Sequence, residues 1–218
     1  MKNLAELLFP TRCISCSRLG LSLCADCRKS WQLDLNISEI NTLFGAYPVF
    51  SALPYSEVAA KVILSAKESN YAVADNLIVE ALSYSLRLFR SQHGSGMLVP
   101  IPSRKAAIRR RGRNFLVDIS EKVALDNFLN LTPLLLHKRK VRDQSKLNQV
   151  ERRRNISQAL SANSAEKPCD VDGNIEPIIL VDDLITTGST LAEAVRALRS
   201  EGYEVKGAVT CAFAQPLR

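Results

Sequence analysis

The sequence predicts an α/β protein with a parallel sheet flanked by helices and a small cysteine-rich segment in front of it. Aliphatic runs at 97–102, 131–136, 178–181 and 205–213 lack polar alternation, which is the pattern of strands covered on both faces. Segments with apolar residues at helical spacing lie between these runs. Two Cys-x-x-Cys pairs precede them all. Together these features predict one sheet domain with a short appendage.

Length and composition limit the alternatives. The chain has 218 residues, enough for one full α/β domain and a small appendage but not for two large domains. Hydrophobic residues make up 46% and charged residues 23%, without an apolar run long enough for a membrane span, so we expect a soluble globular protein. The first ten residues carry Glu6 within a short apolar stretch and lack a cleavage site. We therefore expect a cytoplasmic protein.

The most informative stretch is 177–198, where a predicted strand, a polar loop and a predicted helix follow one another. The strand ends at Asp182 and Asp183, the end at which open α/β sheets bind ligands. The helix begins near Ser189 or Thr190 and ends at Gly202, because apolar residues recur at i, i+3, i+4 and i+7. The loop between them contains Thr186, Thr187, Gly188, Ser189 and Thr190.

This arrangement predicts a phosphate site. The free N–H groups and positive dipole end of a helix N-terminus attract anions, and adjacent carboxylates suit ribose hydroxyls or Mg²⁺. Two other interpretations remain. One is a plain strand–turn–helix whose acid pair is solvated, and the other is a Walker B strand. The second requires a Gly-x-x-x-x-Gly-Lys-[Ser/Thr] loop, which the sequence lacks, and no Gly-x-Gly-x-x-Gly supports a dinucleotide site.

The order of buried strand, two acids, Thr-Gly-Ser-Thr loop and amphipathic helix resembles the phosphoribosyl pyrophosphate (PRPP) motif of type I phosphoribosyltransferases. The resemblance implies that Asp182 and Asp183 hold the ribose 2- and 3-hydroxyls, that Thr186 to Thr190 enclose the 5-phosphate, and that Mg²⁺ accompanies PRPP. Two further segments resemble parts of that family's site. The pyrophosphate loop would be Ser103, Arg104 and Lys105, and the mobile hood loop would contain Arg142, Gln144 and Lys146.

The two cysteine pairs predict a structural zinc site. Cys13 with Cys16 and Cys24 with Cys27 are separated by seven residues that include a hairpin tip, so each pair can supply one side of a tetrahedral thiolate site. Disulfides would be the alternative in a secreted protein, and a thioredoxin-type pair would not need a second one. Four thiolates leave no open position for chemistry.

The remaining segments complete the predicted organisation. Residues 31–46 are weakly patterned and are interpreted as a linker, so the chain divides into a four-Cys zinc-binding segment with linker (1–46) and a phosphoribosyltransferase-like domain (47–218). Segments 55–67 and 71–90 predict covering helices, and 115–125 predicts a crossover helix.

The positive charge is concentrated in one part of the chain. The net charge is +7, yet residues 98–160 contain fifteen Lys or Arg against five Asp or Glu, an excess of ten, which leaves about −3 for the rest. A solvated charged face would explain such a run, whereas a polyanion-binding surface is the sharper hypothesis. The nucleic-acid candidates are Arg109, Arg110, Arg111 and Arg113.

Five motifs together resemble the ComF family: the four-Cys segment, Val-Pro-Ile-Pro at 99–102, Arg-Gly-x-Asn at 111–114, the loop 142–147 and Arg-x-x-Asn at 152–155. That resemblance implies a cytoplasmic competence protein that handles incoming single-stranded DNA, with other competence proteins as possible partners. The alternative is an active PRPP-dependent transferase in nucleotide or cofactor metabolism, for which the sequence identifies neither acceptor nor catalytic base.

Overall fold

The computed structural model describes residues 11–69, 71–139, 149–163 and 176–214. Within these ranges the strands are β1 (Asn36–Thr42), β2 (Gly45–Pro54), β3 (Met97–Pro100), β4 (Leu135–His137), β5 (Leu160–Ala162), β6 (Ile178–Ile185) and β7 (Val205–Phe213). The helices are α1 (Ala25–Arg28), α2 (Glu57–Ser69), α3 (Ala72–His93), α4 (Lys105–Arg111), α5 (Phe115–Asp126), α6 (Gln149–Ile156) and α7 (Ser189–Ser200).

The main sheet has the order β1-β2-β7-β6-β3. All neighbouring pairs are parallel except β1 with β2, which form an antiparallel hairpin at one edge. Helix α3 packs along β2 and β7, α5 along β3 and β6, and α7 against β7 and β1. Every residue of β3 and the first four of β6 are buried, as expected for strands covered on both faces. The predicted α/β class with a mostly parallel sheet is confirmed.

Most predicted elements are present close to their predicted bounds. The sequence patterns at 55–67, 71–90, 115–125 and 189–202 correspond to α2, α3, α5 and α7, and Gly202 follows α7 with a φ of +84°. Among the described residues, no helix is both long and apolar enough to cross a membrane.

The second predicted core strand, at 131–136, is wrong. Only Leu131 bridges to Leu98 of β3, while β4 pairs antiparallel with β5 in a separate two-stranded sheet. Pro133 has no N–H to donate to a ladder, and Leu136 is 54% exposed. The segment therefore leaves the main sheet after one bridge and enters the small sheet.

In place of the linker that we interpreted at 31–46, the structure has β1, the edge strand of the main sheet. Ile40 is the single buried residue of β1, and the other residues of the strand are exposed or half-buried. Such a strand shows little hydrophobic alternation. The division of the chain near residue 46 stays a prediction, and it would cross the hairpin between β1 and β2.

Candidate functional site

The loop between β6 and α7 has the geometry of an anion site. Gly188 is the N-cap of α7 and has a φ of +71°, in the left-handed region where glycine is favoured. The Thr187 and Ser189 hydroxyl oxygens lie 2.9 Å apart, and the Ser189 N–H donates to the Thr187 hydroxyl over 3.4 Å. No acidic residue stands in the first turn of α7. The positive end of the α7 dipole is therefore not offset by a carboxylate within its own first turn.

Strand β1 positions this loop. A Cβ atom on Gly188 would lie 2.5 Å from Cγ2 of Ile40, far inside van der Waals contact. Glycine is thus required for the close approach as well as for the backbone angle. A cavity of about 540 Å³ opens beside the loop, between the β1–β2 hairpin and α7. Thr42, Phe44, Ser157, Thr187 and Ser189 contribute to its lining.

The strand does not end at the two acids, where the sequence predicts its end, because β6 stays paired with β7 as far as Ile185; Asp182 and Asp183 lie within β6, after its first four buried residues. Asp183 is 9% exposed and Asp182 is half-buried, and the Asp183 N–H donates to Oδ1 of Asp182 over 2.9 Å. Desolvation raises the pKa of Asp182 well above its usual range, and the nearby Asp183 carboxylate raises it further. The motif thus has two carboxyl groups next to the loop in the chain. Asp183 is buried, whereas Asp182 is half-buried and has a raised pKa.

Lys67 forms an ion pair with Asp183 that the sequence analysis missed. Its Nζ lies 2.5 Å from Oδ2 of Asp183, and the two side chains are 25% and 12% exposed. Burial lowers the pKa of Lys67, but the charge of Asp183, the hydrogen bond to it and the charge of Asp182 together outweigh burial and raise the pKa above its ordinary value. A lysine that is mostly buried at the end of a helix requires such a counter-ion. The two residues are 116 positions apart, so no local sequence pattern indicates the pair.

The predicted pyrophosphate loop lies at the same sheet edge. Strand β3 pairs in parallel with β6, with Pro100 opposite Val181, and the Ile101 N–H donates to the Val181 carbonyl over 2.9 Å. The chain that follows β3 therefore begins beside the part of β6 that contains the acid pair, and it leads to Ser103, Arg104 and Lys105. Ser103 and Arg104 are half-buried, and Lys105 is exposed at the first position of α4.

Three of the four arginines proposed for nucleic acid already have acidic partners. Arg110 and Arg111 donate to the Glu68 carboxylate at 2.8–3.0 Å. Arg113 is only 10% exposed and is paired with Asp75 at 3.0 Å and with Asp118 at 3.1 Å. Arg109 is exposed. Fewer arginines are therefore available to a ligand than the sequence indicates. Arg113 packs between α3 and α5, and Arg110 and Arg111 are paired with Glu68.

The predicted hood residues Arg142, Gln144 and Lys146 lie outside the described residues. The small sheet formed by β4 and β5, which borders that segment, is attached to α7 by a polar network. The Leu160 N–H donates to Oε1 of Glu193 over 3.1 Å, and Arg196 donates both to Glu193 and to the Leu160 carbonyl. The base of the predicted hood is thus held against the helix whose N-terminus forms the phosphate loop.

The four cysteines of the N-terminal segment form one cluster. All four Sγ atoms lie within 4.8 Å of one another, and those of Cys16 and Cys24 are 3.6 Å apart. Tetrahedral zinc–thiolate bonds of about 2.3 Å place sulfur atoms about 3.8 Å apart, so the cluster fits zinc. Burial raises the pKa of Cys13, but hydrogen bonds from backbone N–H groups outweigh it and lower the pKa to about 6. Bound zinc would join the two pairs without supplying an open coordination position.

The cysteine segment packs onto the rest of the protein. Leu23 and Trp31 belong to the continuous hydrophobic core, and Lys61 of α2 donates to the Ser15 carbonyl over 3.0 Å. Cys13 and Cys24 also belong to this core, but most of its residues come from the strands and helices of the sheet domain. Loss of zinc should therefore unfold the segment locally.

We expect one zinc ion per chain, removed by Cys13→Ser or Cys24→Ser because three thiolates bind zinc far more weakly than four. Elemental analysis of freshly purified, reduced protein would measure the metal content. Circular dichroism should show that both variants keep the sheet domain folded. Cys169→Ser, at a cysteine apart from both pairs in the sequence, is the control and should retain zinc. Wild-type protein without zinc would contradict this prediction.

The fold and the site define an α/β protein in which a parallel strand passes through a polar, glycine-containing loop into a helix. Residues 106–216 match the phosphoribosyl transferase domain, a match that includes the acid pair, the loop and α7. Because the match covers half of the chain, this protein belongs to the phosphoribosyl transferase domain family.

Among solved structures, the chain is similar to a crystal structure of adenine phosphoribosyltransferase. The identity is 10% and the TM-score 0.44, over 81% of this chain and 84% of that chain. None of the curated proteins matches the chain.

Proposed function

We propose that this protein binds PRPP or a related phosphoribosyl ligand where β6, the 186–190 loop and α7 meet. The observation that supports the proposal is the left-handed Gly188, which caps the N-terminus of α7 and follows the acid pair closely in the chain. In this arrangement Asp182 and Asp183 accept hydrogen bonds from the ribose hydroxyls. The 5-phosphate is held by the backbone and hydroxyls of Thr186, Thr187, Gly188, Ser189 and Thr190.

The pyrophosphate half of the ligand would lie toward the loop after β3. Ser103, Arg104 and Lys105 supply a hydroxyl and two cations there, and the parallel pairing of β3 with β6 supports their closeness to the acid pair. Mg²⁺ would enter with PRPP and neutralise charge on its pyrophosphate. The hood residues Arg142, Gln144 and Lys146 would close over the bound ligand and exclude water.

At a finer level, we propose a ComF-type protein in which this fold serves natural competence and the handling of single-stranded DNA. The four-cysteine cluster in front of the domain and the basic stretch 98–160 support this proposal. DNA would be held mainly by its phosphates, since few aromatic residues in that stretch could stack on bases. A cytoplasmic location and competence-protein partners belong to the same proposal.

A second candidate function is an active PRPP-dependent transferase in nucleotide or cofactor metabolism. The bonds of Glu68 with Arg110 and Arg111 favour it, because arginines already paired at 2.8–3.0 Å contribute less to a DNA-binding surface. In such a transferase, cations of the loop before α4 and of α4 itself, such as Arg104 and Lys105, would stabilise the departing pyrophosphate. A small nucleophile would be the acceptor.

One experiment separates the two candidates. Calorimetry with PRPP and Mg²⁺ would measure ligand binding, and a salt titration with single-stranded DNA would measure electrostatic contacts. For a DNA-binding protein, a plot of the logarithm of the association constant against the logarithm of the salt concentration should fall with a slope of about 0.7 for each phosphate contacted on a single strand. Replacing Arg109, Arg110 and Arg111 by Ala should then lower both affinity and slope equally for unrelated sequences.

The matched control replaces Arg87, Arg199 and Lys206 by Ala, which removes the same charge outside the basic stretch. Equal DNA binding by wild type and the first triple variant, with PRPP consumed in the presence of a small acceptor, would favour the transferase. Failure of PRPP to bind the wild-type protein at all would contradict both forms of the proposal.

A further inference from the structure

Lys67 lies at the phosphoribosyl site, although the PRPP motif does not contain it. We propose that Lys67 is a positioning and ligand-contacting residue of that site, whose ammonium fixes Asp183 and donates its remaining N–H groups to oxygen atoms of the bound phosphoribosyl ligand. This inference rests on the proposed function, since it concerns the same ligand.

The geometry leaves Lys67 with donors to spare. An ammonium carries three N–H donors. Among the described residues, its hydrogen-bond acceptor is Oδ2 of Asp183, at 2.5 Å. The side chain is 25% exposed, so it is anchored at the acid pair and still reaches solvent. A ligand hydroxyl that approaches Asp183 therefore also approaches the Lys67 ammonium.

The last turn of α2 is fixed from two sides, so Lys67 is held in place rather than loosely tethered. The next residue, Glu68, binds Arg110 and Arg111 of α4. The ring centroid of Phe115, the first residue of α5, lies 5.8 Å from Nζ of Lys67. A preorganised cation loses little conformational entropy when a ligand binds. The free energy of a contact between Lys67 and the ligand is therefore more favourable than it would be for a mobile lysine.

The charge of Lys67 suits an anionic ligand. Asp183 interacts with Asp182 on β6, with Lys67 on α2 and with the buried thiol of Cys211 on β7, and Arg111 at the end of α4 acts on Lys67. Without Lys67, two adjacent carboxyl groups would oppose the approach of phosphate and pyrophosphate. When Lys67 is present, its charge offsets that of Asp183, and its remaining N–H groups can donate hydrogen bonds to the ligand.

The test compares Lys67→Met with Lys67→Arg, using ribose 5-phosphate and PRPP with Mg²⁺ as probes in calorimetry. Lys67→Met should weaken binding of both probes by about tenfold or more, since it removes a charged hydrogen-bond donor. Lys67→Arg should recover most of the affinity, because it restores the charge and the donors. Thermal unfolding of each variant reports the fraction folded during the titration.

The matched control is Lys206→Met, which removes a lysine of β7 whose Nζ donates to the Ser95 carbonyl over 2.9 Å. It should bind both probes as the wild type does. If Lys67→Met does not fold, Lys67→Gln keeps an amide donor to Asp183 without the charge and should show the same loss.

A purely structural Lys67 would lower the unfolding midpoint of Lys67→Met and leave the affinity of the folded protein unchanged, and that result would overturn the inference while the proposed function stands. Weakened binding that Lys67→Arg does not recover would also count against it. Absence of binding in the wild-type protein would overturn the proposed function and this inference together.

Discussion

Asp182→Asn combined with Asp183→Asn is expected to abolish detectable PRPP binding while the protein stays folded. The two amides keep the shape of the carboxyl groups but remove the charge that accepts hydrogen bonds from ribose hydroxyls and attracts Mg²⁺. Two charged hydrogen bonds account for a loss of roughly 100-fold or more in affinity. The fold should persist because the first four residues of β6, all of them buried, are unchanged and each asparagine has the size of the aspartate that it replaces.

The double variant leaves the Lys67 ammonium without its partner, so its unfolding midpoint should fall. Adding Lys67→Met removes that unpaired cation and should restore part of the midpoint without restoring binding. Asp118→Asn, which changes a half-exposed carboxylate outside the site, is the control for loss of one negative charge. An unchanged PRPP isotherm in the Asp182/Asp183 variant, measured by calorimetry, would show that the motif no longer binds the ligand.

The central motif could be predicted because it is contiguous in sequence. The buried strand, the acids, the loop and the helix follow one another within 178–200, and each has a local signature: aliphatic residues, paired carboxylates, glycine with hydroxyls, and 3.6-residue periodicity. The cysteine cluster was predictable for the same reason, since its two pairs are separated by seven residues. Local patterns specify local geometry without knowledge of the topology.

The contacts that surround the motif could not be predicted in this way. Lys67 and Asp183 are 116 residues apart, and Glu68 meets Arg110 and Arg111 across 42 and 43 residues. A basic run in a sequence looks the same whether its members face solvent or acidic partners. The pairing depends on how α2 packs beside α4, which is a property of the tertiary structure.

Two elements were misinterpreted because their burial is incomplete. Strand β1 buries only Ile40, so its polar appearance resembles that of a linker. The segment 131–136 is apolar enough for a core strand, yet Pro133 interrupts it and Leu136 is exposed. Hydrophobicity measures how much surface a segment can bury, whereas its place in a sheet also depends on available N–H donors. Each failure thus has a specific cause in the chain.

Gly188→Val is expected to lose phosphate binding and a substantial part of the stability of the protein. A β-branched residue at a φ of +71° is strained by roughly 1–2 kcal/mol. The new Cβ would also lie 2.5 Å from Cγ2 of Ile40, and overpacking of this kind typically costs about 1–3 kcal/mol. Either Ile40 and β1 move away or the loop does. The second response displaces the N–H groups that face the phosphate.

Gly202→Val is the matched control at the other end of α7. Gly202 has a φ of +84°, but a Cβ there meets nothing within 4 Å, so this variant has the backbone strain without the collision. It should lose about 1–2 kcal/mol in free energy of unfolding and bind ribose 5-phosphate as the wild type does. Adding Ile40→Ala to Gly188→Ala removes the atoms that collide and should recover binding in part. Denaturant unfolding and calorimetry on the wild type and these four variants test this account. It would be contradicted if Gly188→Val bound ribose 5-phosphate as tightly as Gly202→Val.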